Sequence, residues 1–321
     1  MEVSELGQGY ERRLRDVHPS ISAAATARWF STSNRRSSKT AAMARRTAKS
    51  IATSTLVELP LDQKEAFFYK NVLQLLNRHK IPYAIAGAFA LHQHTGIWRV
   101  TKDLDVFLTA ESLSRALSVL AKRGFKCEIT DAVWLAKVRK GRFFIDLITG
   151  MSNAVFVVDE TWISRARPAL VLGVKTRILG TEELLVSKLF VSRRERFDGA
   201  DIAHIVYGSR EQVNWDRVLD LVGDHWELLL WSLLLFRYVY PSHSTNVPAR
   251  VWARLITRLR NELANCNSEA PFRGSLVDDN MFAIDVAEWG LPDLLSKYRE
   301  RRLQDISSLP QLAPRGTKGA A

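Results

Sequence analysis

Asp103 and Asp105 stand one residue apart in Thr101-Lys102-Asp103-Leu104-Asp105-Val106-Phe107-Leu108. The segment reads as a strand. Its period of two places both carboxylates on one face, while Leu104 and Val106 point to the other. Two like charges about 7 Å apart on a strand repel unless a cation neutralises them. A divalent metal is the natural neutraliser. Mg²⁺ takes carboxylate oxygens, keeps several waters and commonly bridges a protein carboxylate to a substrate phosphate. Surface strands often carry such pairs, so the surroundings decide.

Upstream lies Tyr83-Ala84-Ile85-Ala86-Gly87-Ala88-Phe89-Ala90-Leu91-His92. It reads as a short apolar strand, a glycine turn and a helix start. Gly87 lets the backbone approach a ligand closely, and the N–H groups of the helix that follows can hold a phosphate. A plain strand-to-helix turn would ask for the same glycine. Downstream, Gly141-Arg142-Phe143-Phe144-Ile145-Asp146-Leu147-Ile148 is an apolar strand with one acid inside it. A buried strand does not carry a carboxylate without a partner. Asp146 is either a third metal-facing acid or the partner of a neighbouring arginine. Arg99 and Lys102 flank the acidic pair and are candidate phosphate contacts or strand-edge charges.

Gly87-Ala88, Asp103-Leu104-Asp105 and Asp146 together resemble the signature of the nucleotidyltransferase superfamily with the DNA polymerase beta-like fold: a Gly-Gly or Gly-Ser turn, a D-x-D or D-x-E strand and a third acidic strand. Trp98-Arg99-Val100-Thr101-Lys102-Asp103 is similar to the Arg-x-Thr-x-Asp strand of the abortive-infection toxin branch. Leu184-Leu185-Val186-Ser187-Lys188-Leu189, followed by Arg196-Phe197-Asp198-Gly199-Ala200-Asp201, resembles that branch's later lysine and Arg-x-x-Asp-x-x-Asp motif. The resemblance covers roughly residues 66 to 210. It implies an α/β (α+β) mixed-sheet nucleotidyltransferase fold and Mg²⁺ or Mn²⁺ held by Asp103, Asp105 and Asp146 in two-metal chemistry. It further implies a nucleotide site with Gly87, Ala88, Arg99, Lys102, Lys188 and Asp201. The implied partners are an NTP substrate, an RNA, tRNA or protein acceptor and an antitoxin. One departure stands out: Ala88 occupies a position where active members usually have Gly or Ser, and it lacks a hydroxyl for phosphate. A fold copy without catalysis, serving as a binding module, and a small-molecule transferase resembling aminoglycoside-modifying enzymes are the rival readings. The latter would use Asp278 and Asp279 as an acidic acceptor pocket.

The elements that must position these residues follow from periodicity and punctuation. Residues 61–80 form an amphipathic helix with Phe67, Val72, Leu75 and Leu76 toward the core. Strands are expected over 83–86, 103–108, 126–130, 132–139 and 143–148, with weaker ones at 154–158 and 177–178. Helices are expected over 88–95 and 111–124, the second stopped by Gly124. A longer helix over 181–196 has Glu182 and Glu183 in its first turn, as the dipole favours. It would put Lys188, Ser192 and Arg196 on one face, with Asp198 and Asp201 just beyond. Helices over 213–223, 225–240, 248–266 and 291–304 complete the chain, and 272–279 reads as either an ordered loop across the cleft or a plain surface connection. His92 and His94, two apart on a helix, point away from each other, and His204 adds no ligand spacing, so zinc is disfavoured.

The chain has 321 residues and a formal net charge of +12, which suggests a polyanionic partner. The charge is uneven: residues 17–57 hold seven Lys or Arg and no acid. Residues 1–57 are therefore expected to be a disordered basic extension. Their composition resembles a transit peptide, against which Glu2, Glu5, Glu11 and Asp16 argue, and Met43 is a second candidate start. A nucleotidyltransferase domain over 58–210, a helical region over 211–308 and a flexible tail over 309–321 follow. Cys127 and Cys266 form neither a disulfide framework nor a zinc pattern, so a reducing cytoplasm is the expected setting. The apolar run Leu228–Phe236 is too short to span a bilayer, which needs about 20 residues. It reads as a buried core helix.

Overall fold

Asp62 starts the first helix, α1 (Gln63–Arg78): its carboxylate accepts from the Lys64 N–H at 2.7 Å, and Arg78 sits at the opposite end of the dipole. The computed structural model describes residues 61–209 and 212–309. The basic extension expected over 1–57 and, but for residue 309, the expected tail lie outside them. The stripe that α1 buries is Phe68, Tyr69, Val72, Leu73 and Leu76. Phe67 points outward, because the helical period that puts Val72 and Leu76 inside selects 68 rather than 67.

A seven-stranded mixed sheet carries the site. Its strands are β1 (Ala84–Ile85), β2 (Leu104–Phe107), β3 (Lys126–Asp131), β4 (Leu135–Lys140), β5 (Phe143–Ile148), β6 (Arg167–Val171) and β7 (Val174–Ile178), in the order β3-β4-β5-β2-β1-β7-β6. β2 runs parallel to β5, and β1 parallel to β7; the other neighbours are antiparallel. The β2–β5 pair is joined by α3 (Ala110–Ala121) and the β3–β4 hairpin, a crossover of the length that a parallel pair requires. The fold is thus the mixed α/β class expected.

Several boundaries differ from expectation, each for a local reason. β6 was not expected. Its Pro168 cannot donate to a ladder, and the strand accordingly lies at the sheet edge. The weak strand expected over 154–158 is a loop with one bridge, Gly150 to Val157. The Asn153 side chain accepts from the Val155 N–H and donates to the Leu276 carbonyl, which turns the chain away. A short helix, α4 (Glu160–Ser164), follows, capped by Asp159.

The helix expected over 181–196 ends early. Here α5 spans Thr181–Ser187, and tight i→i+3 bonds from Lys188 to Leu185 and from Leu189 to Val186 close it. The chain then reverses through a two-stranded ribbon, β8 (Ser192–Arg193) and β9 (Arg196–Phe197), into α6 (Gly199–Gly208). Ser192 and Arg196 therefore do not extend a helix face from Lys188.

The later helices pack on α5, α6 and the sheet's far end. α7 (Trp215–Val222) packs on α5, and α8 (Trp226–Val239) packs on α6 and α9 (Ala249–Ala264). α8 buries Leu229, Leu230, Leu233 and Phe236 but exposes Trp231 and Leu234, so it is one-faced rather than wholly internal. The stretch 272–279 contains a four-residue helix, α10 (Gly274–Val277). Beyond α11 (Ala283–Ala287), the last helix, α12 (Leu294–Ser307), is tied back by Arg299, which donates to Asp131 at 3.0 Å and to the Ser152 carbonyl at 2.6 Å. Among the described residues no helix is long and apolar enough to cross a membrane.

Candidate metal centre

Three adjacent strands place a row of charged side chains across one face of the sheet. Asp105 on β2 is in register with Asp146 on β5, and Asp146 is in register with Lys137 on β4. Asp103 lies one residue before β2, where the Thr101 hydroxyl donates to its carboxylate at 2.9 Å. Asp103, Asp105 and Asp146 each offer a carboxylate oxygen, and these oxygens lie within 4.8 Å of one another. The structure brings together the three acids singled out in the sequence.

The electrostatics of this cluster are those of carboxylates short of positive charge. Burial and the neighbouring Asp103 push the Asp105 carboxyl up to about 7, against the pull of Lys188. Burial also raises Asp146, although Lys137 works the other way. The donors are all oxygens, close enough to share an ion, and a hard divalent cation such as Mg²⁺ or Mn²⁺ fits that set.

Gly87 begins the helix α2 (Gly87–Thr95) at φ +55°. A Cβ there would fall 1.8 Å from Asp105 Oδ2, so glycine is needed both for the backbone angle and for the carboxylate beside it. The N-cap residue Ala86 gives α2 no side-chain cap, and the Ala86 N–H itself donates to the Asp105 carbonyl at 2.9 Å. The first N–H groups of α2, from Gly87 and Ala88, therefore open beside the acidic cluster. A helix N-terminus in this state favours an anion.

Lys188 is buried at the end of α5. Its ammonium donates to Asp198 at 2.8 Å and forms an ion pair with Asp201 at 2.7 Å. Asp201 also pairs with Arg99, and Asp198 with Arg196 at 3.2 Å. Burial raises the Asp198 carboxyl, but Lys188 and Arg196 outweigh it and hold the group below the usual range. Asp198 occupies the cap position of α6 without capping it; its oxygens serve the two cations instead. Arg99 and Lys188 are thus joined through Asp201. Lys102 is exposed and makes no ion pair among the described residues.

Other candidates are spent elsewhere. His94 Nε2 lies 2.8 Å from the Leu179 carbonyl, and His92 packs edge-on against Trp98. Asp278 is buried and accepts from the N–H groups of Arg194, Asn280 and Met281 at 2.9 to 3.0 Å. Its carboxylate organises the chain rather than lining an acceptor pocket. Asp279 approaches Arg193 at 3.5 Å.

Sequence reasoning missed Lys137, whose ammonium donates to Asp146 Oδ1 at 2.6 Å. A signal was present. Lys140 and Phe143 pair across the two-residue turn Gly141-Arg142, with Gly141 at φ +61°. A glycine in that conformation at the first position of a two-residue hairpin fixes the register, and the register sets Lys137 opposite Asp146.

No curated protein matches the chain. Among solved structures, the antibiotic-resistance factor ANT(2'')-Ia is similar at 14% identity, covering 57% of this chain and 97% of that one, with a TM-score of 0.39. The lincosamide antibiotic adenylyltransferase LnuA shows 19% identity over 45% of this chain and 96% of that one, with a TM-score of 0.33. An antigenic nucleotidyltransferase-like protein from Paracoccidioides brasiliensis shows 19% identity over 59% and 94%, with a TM-score of 0.37. Residues 66–221, just under half of the chain, match the family described as "Nucleotidyl transferase of unknown function (DUF2204)", and that segment contains the Gly87 turn, all three acids and the Lys188–Asp201 network.

Proposed function

We propose that this chain is a nucleotidyltransferase dependent on Mg²⁺ or Mn²⁺, moving a nucleoside monophosphate from an NTP to a hydroxyl of an RNA, tRNA or protein acceptor. The observation that carries this reading is the meeting of Asp103, Asp105 and Asp146 within 4.8 Å, beside a helix start that only glycine can open. The three carboxylates would hold the cation. When bound, the ion supplies charge stabilisation to the phosphates and lowers the pKa of the attacking hydroxyl.

The chain's own residues do the rest. The α2 N–H groups beside Gly87 and Ala88 bind the negative phosphate tail, as the dipole of a helix start favours. Arg99 and Lys188, held in place by Asp201, lend positive charge next to it. The acceptor oxygen forms a bond to the α-phosphorus while the bond from that phosphorus to the bridging oxygen breaks and pyrophosphate leaves. The hydroxyl proton passes to solvent, and Asp146, held by Lys137, would help hold the ion that acidifies that hydroxyl. Ala88 offers no hydroxyl to the phosphates, so this site relies on backbone N–H groups there.

The net charge of +12 gives only mild support to a polyanionic acceptor, because about half of it lies in the first 55 residues. The likeness of the Arg99–Asp105 stretch to toxin-type enzymes supports a toxin restrained by an antitoxin. The test is transfer of label from each α-³²P NTP onto total tRNA and onto protein, with Asp103→Asn/Asp105→Asn as control. Label on tRNA that vanishes in the control supports RNA transfer. Folded protein that binds no Mg²⁺–NTP sinks the enzyme reading.

A further inference from the structure

The acidic row does not end at Asp146. Lys137 stands next to it in register, and its ammonium lies 2.6 Å from Asp146 Oδ1. The two side chains are only 16% and 12% exposed. The Phe144 ring holds the ammonium from another side, with its centroid 4.4 Å away. This lysine is fixed by a hairpin register, a carboxylate and an aromatic face, unlike a solvated surface lysine.

We propose that the Lys137 ammonium takes the place of one divalent cation, so that the centre holds one metal ion rather than two. The proposal rests on the reading of Asp103, Asp105 and Asp146 as ligands and deepens it. Three carboxylates and one ammonium leave two negative charges, which one divalent cation neutralises. The three ligand oxygens lie within 4.8 Å of one another, a span that one ion bridges at metal–oxygen distances of about 2.0–2.6 Å. A second ion on Asp146 would lie beside an ammonium that already occupies one of its oxygens, and like charges in a partly buried site repel strongly. Lys188, the other buried cation near Asp105, is paired with Asp198 and Asp201, whose two negative charges offset its own. Lys137 in this role is a positioning residue. It holds Asp146 Oδ1 and leaves the second oxygen of that carboxylate for the single ion.

The experiment counts Mn²⁺ bound to the full chain at pH 7.5 by the loss of the free-ion paramagnetic resonance signal. Wild type is expected to bind one Mn²⁺ up to millimolar concentration, and so is Lys137→Arg, which keeps the charge. Lys137→Met, which keeps the stem and loses the charge, is expected to bind two, the first roughly tenfold more tightly than wild type does. Lys137→Gln serves as the second neutral variant should the methionine form not fold. Two ions on wild type overturn the proposal without touching the reading of the three acids. One ion on wild type and on both neutral variants also overturns it, since something other than the lysine would then exclude the second. No Mn²⁺ on any form removes the metal centre itself, and the proposal with it.

Discussion

Gly87 and Asp105 occupy each other's space: a methyl group on residue 87 would sit 1.8 Å from Asp105 Oδ2. The turn and the ligand are therefore one unit, although they lie 18 positions apart in the chain. Gly87→Ala is expected to destabilise the protein by at least about 2 kcal/mol, through a strained left-handed backbone and a displaced carboxylate. It should also weaken Mn²⁺ binding. Thermal unfolding and metal titration of the variant check both; unchanged metal affinity would separate the turn from the centre.

Removing an acid should cost activity and leave the fold intact. Asp103→Asn and Asp105→Asn are each expected to lower nucleotidyl transfer by about 10²–10³-fold. The metal-free variants should be as stable as wild type or more so, because a repelling charge is gone. Paired transfer rates and melting curves measure this. A variant that loses activity by unfolding would assign these acids a structural role instead.

The pH response has a defined sign. The Asp105 carboxyl lies near 7 in the folded chain against an ordinary value of 3.8. A raised acid contributes stability that is full below about pH 4 and is lost as pH climbs through 7. Asp146 shifts in the same direction. Asp198 shifts the opposite way, and its contribution is lost only as pH falls below the ordinary carboxylate range. The metal-free protein should therefore melt lower at pH 8 than at pH 5, and Mg²⁺ should raise the midpoint more at pH 8. Equal shifts at the two pH values would mean that the ion binds elsewhere.

Lys188 pairs at once with a buried carboxylate, Asp201, and a half-buried one, Asp198. Lys188→Met should destabilise by about 1.5–3 kcal/mol, the range for losing a hydrogen bond to a charged group, because Arg196 still pairs with Asp198 and Arg99 with Asp201. Adding Asp198→Asn to that variant should recover part of the loss. Denaturant melts of the single and double variants give the coupling. A purely additive result would show that Lys188 and Asp198 act independently.

The acids were legible in the sequence because strand periodicity and a compact motif act over a few residues. The same local logic gave the Gly87 turn and the approximate span of most helices. Contacts set by chain reversal were not legible. Lys188 looked like one position on a long helix face. The helix instead closes at Ser187, and the β8–β9 ribbon returns Asp198, with its partner Arg196, to the lysine from ten positions along the chain. β6 escaped notice because proline argues against a central strand, and only the sheet order reveals that it is an edge. Lys137 lay in a strand that reads as half-exposed and basic, and only the hairpin register gives it a partner.

The parallel pairing of β2 with β5 has a consequence for how the molecule comes into being. Asp105 and Asp146 are 41 positions apart, and no local segment contains both. During synthesis the first two acids leave the ribosome well before the third. Parallel strands close late, since the chain between them must first lose its freedom. The centre is therefore expected to be among the last features to form during refolding, and a chain stopped before β5 would carry the motif without the site.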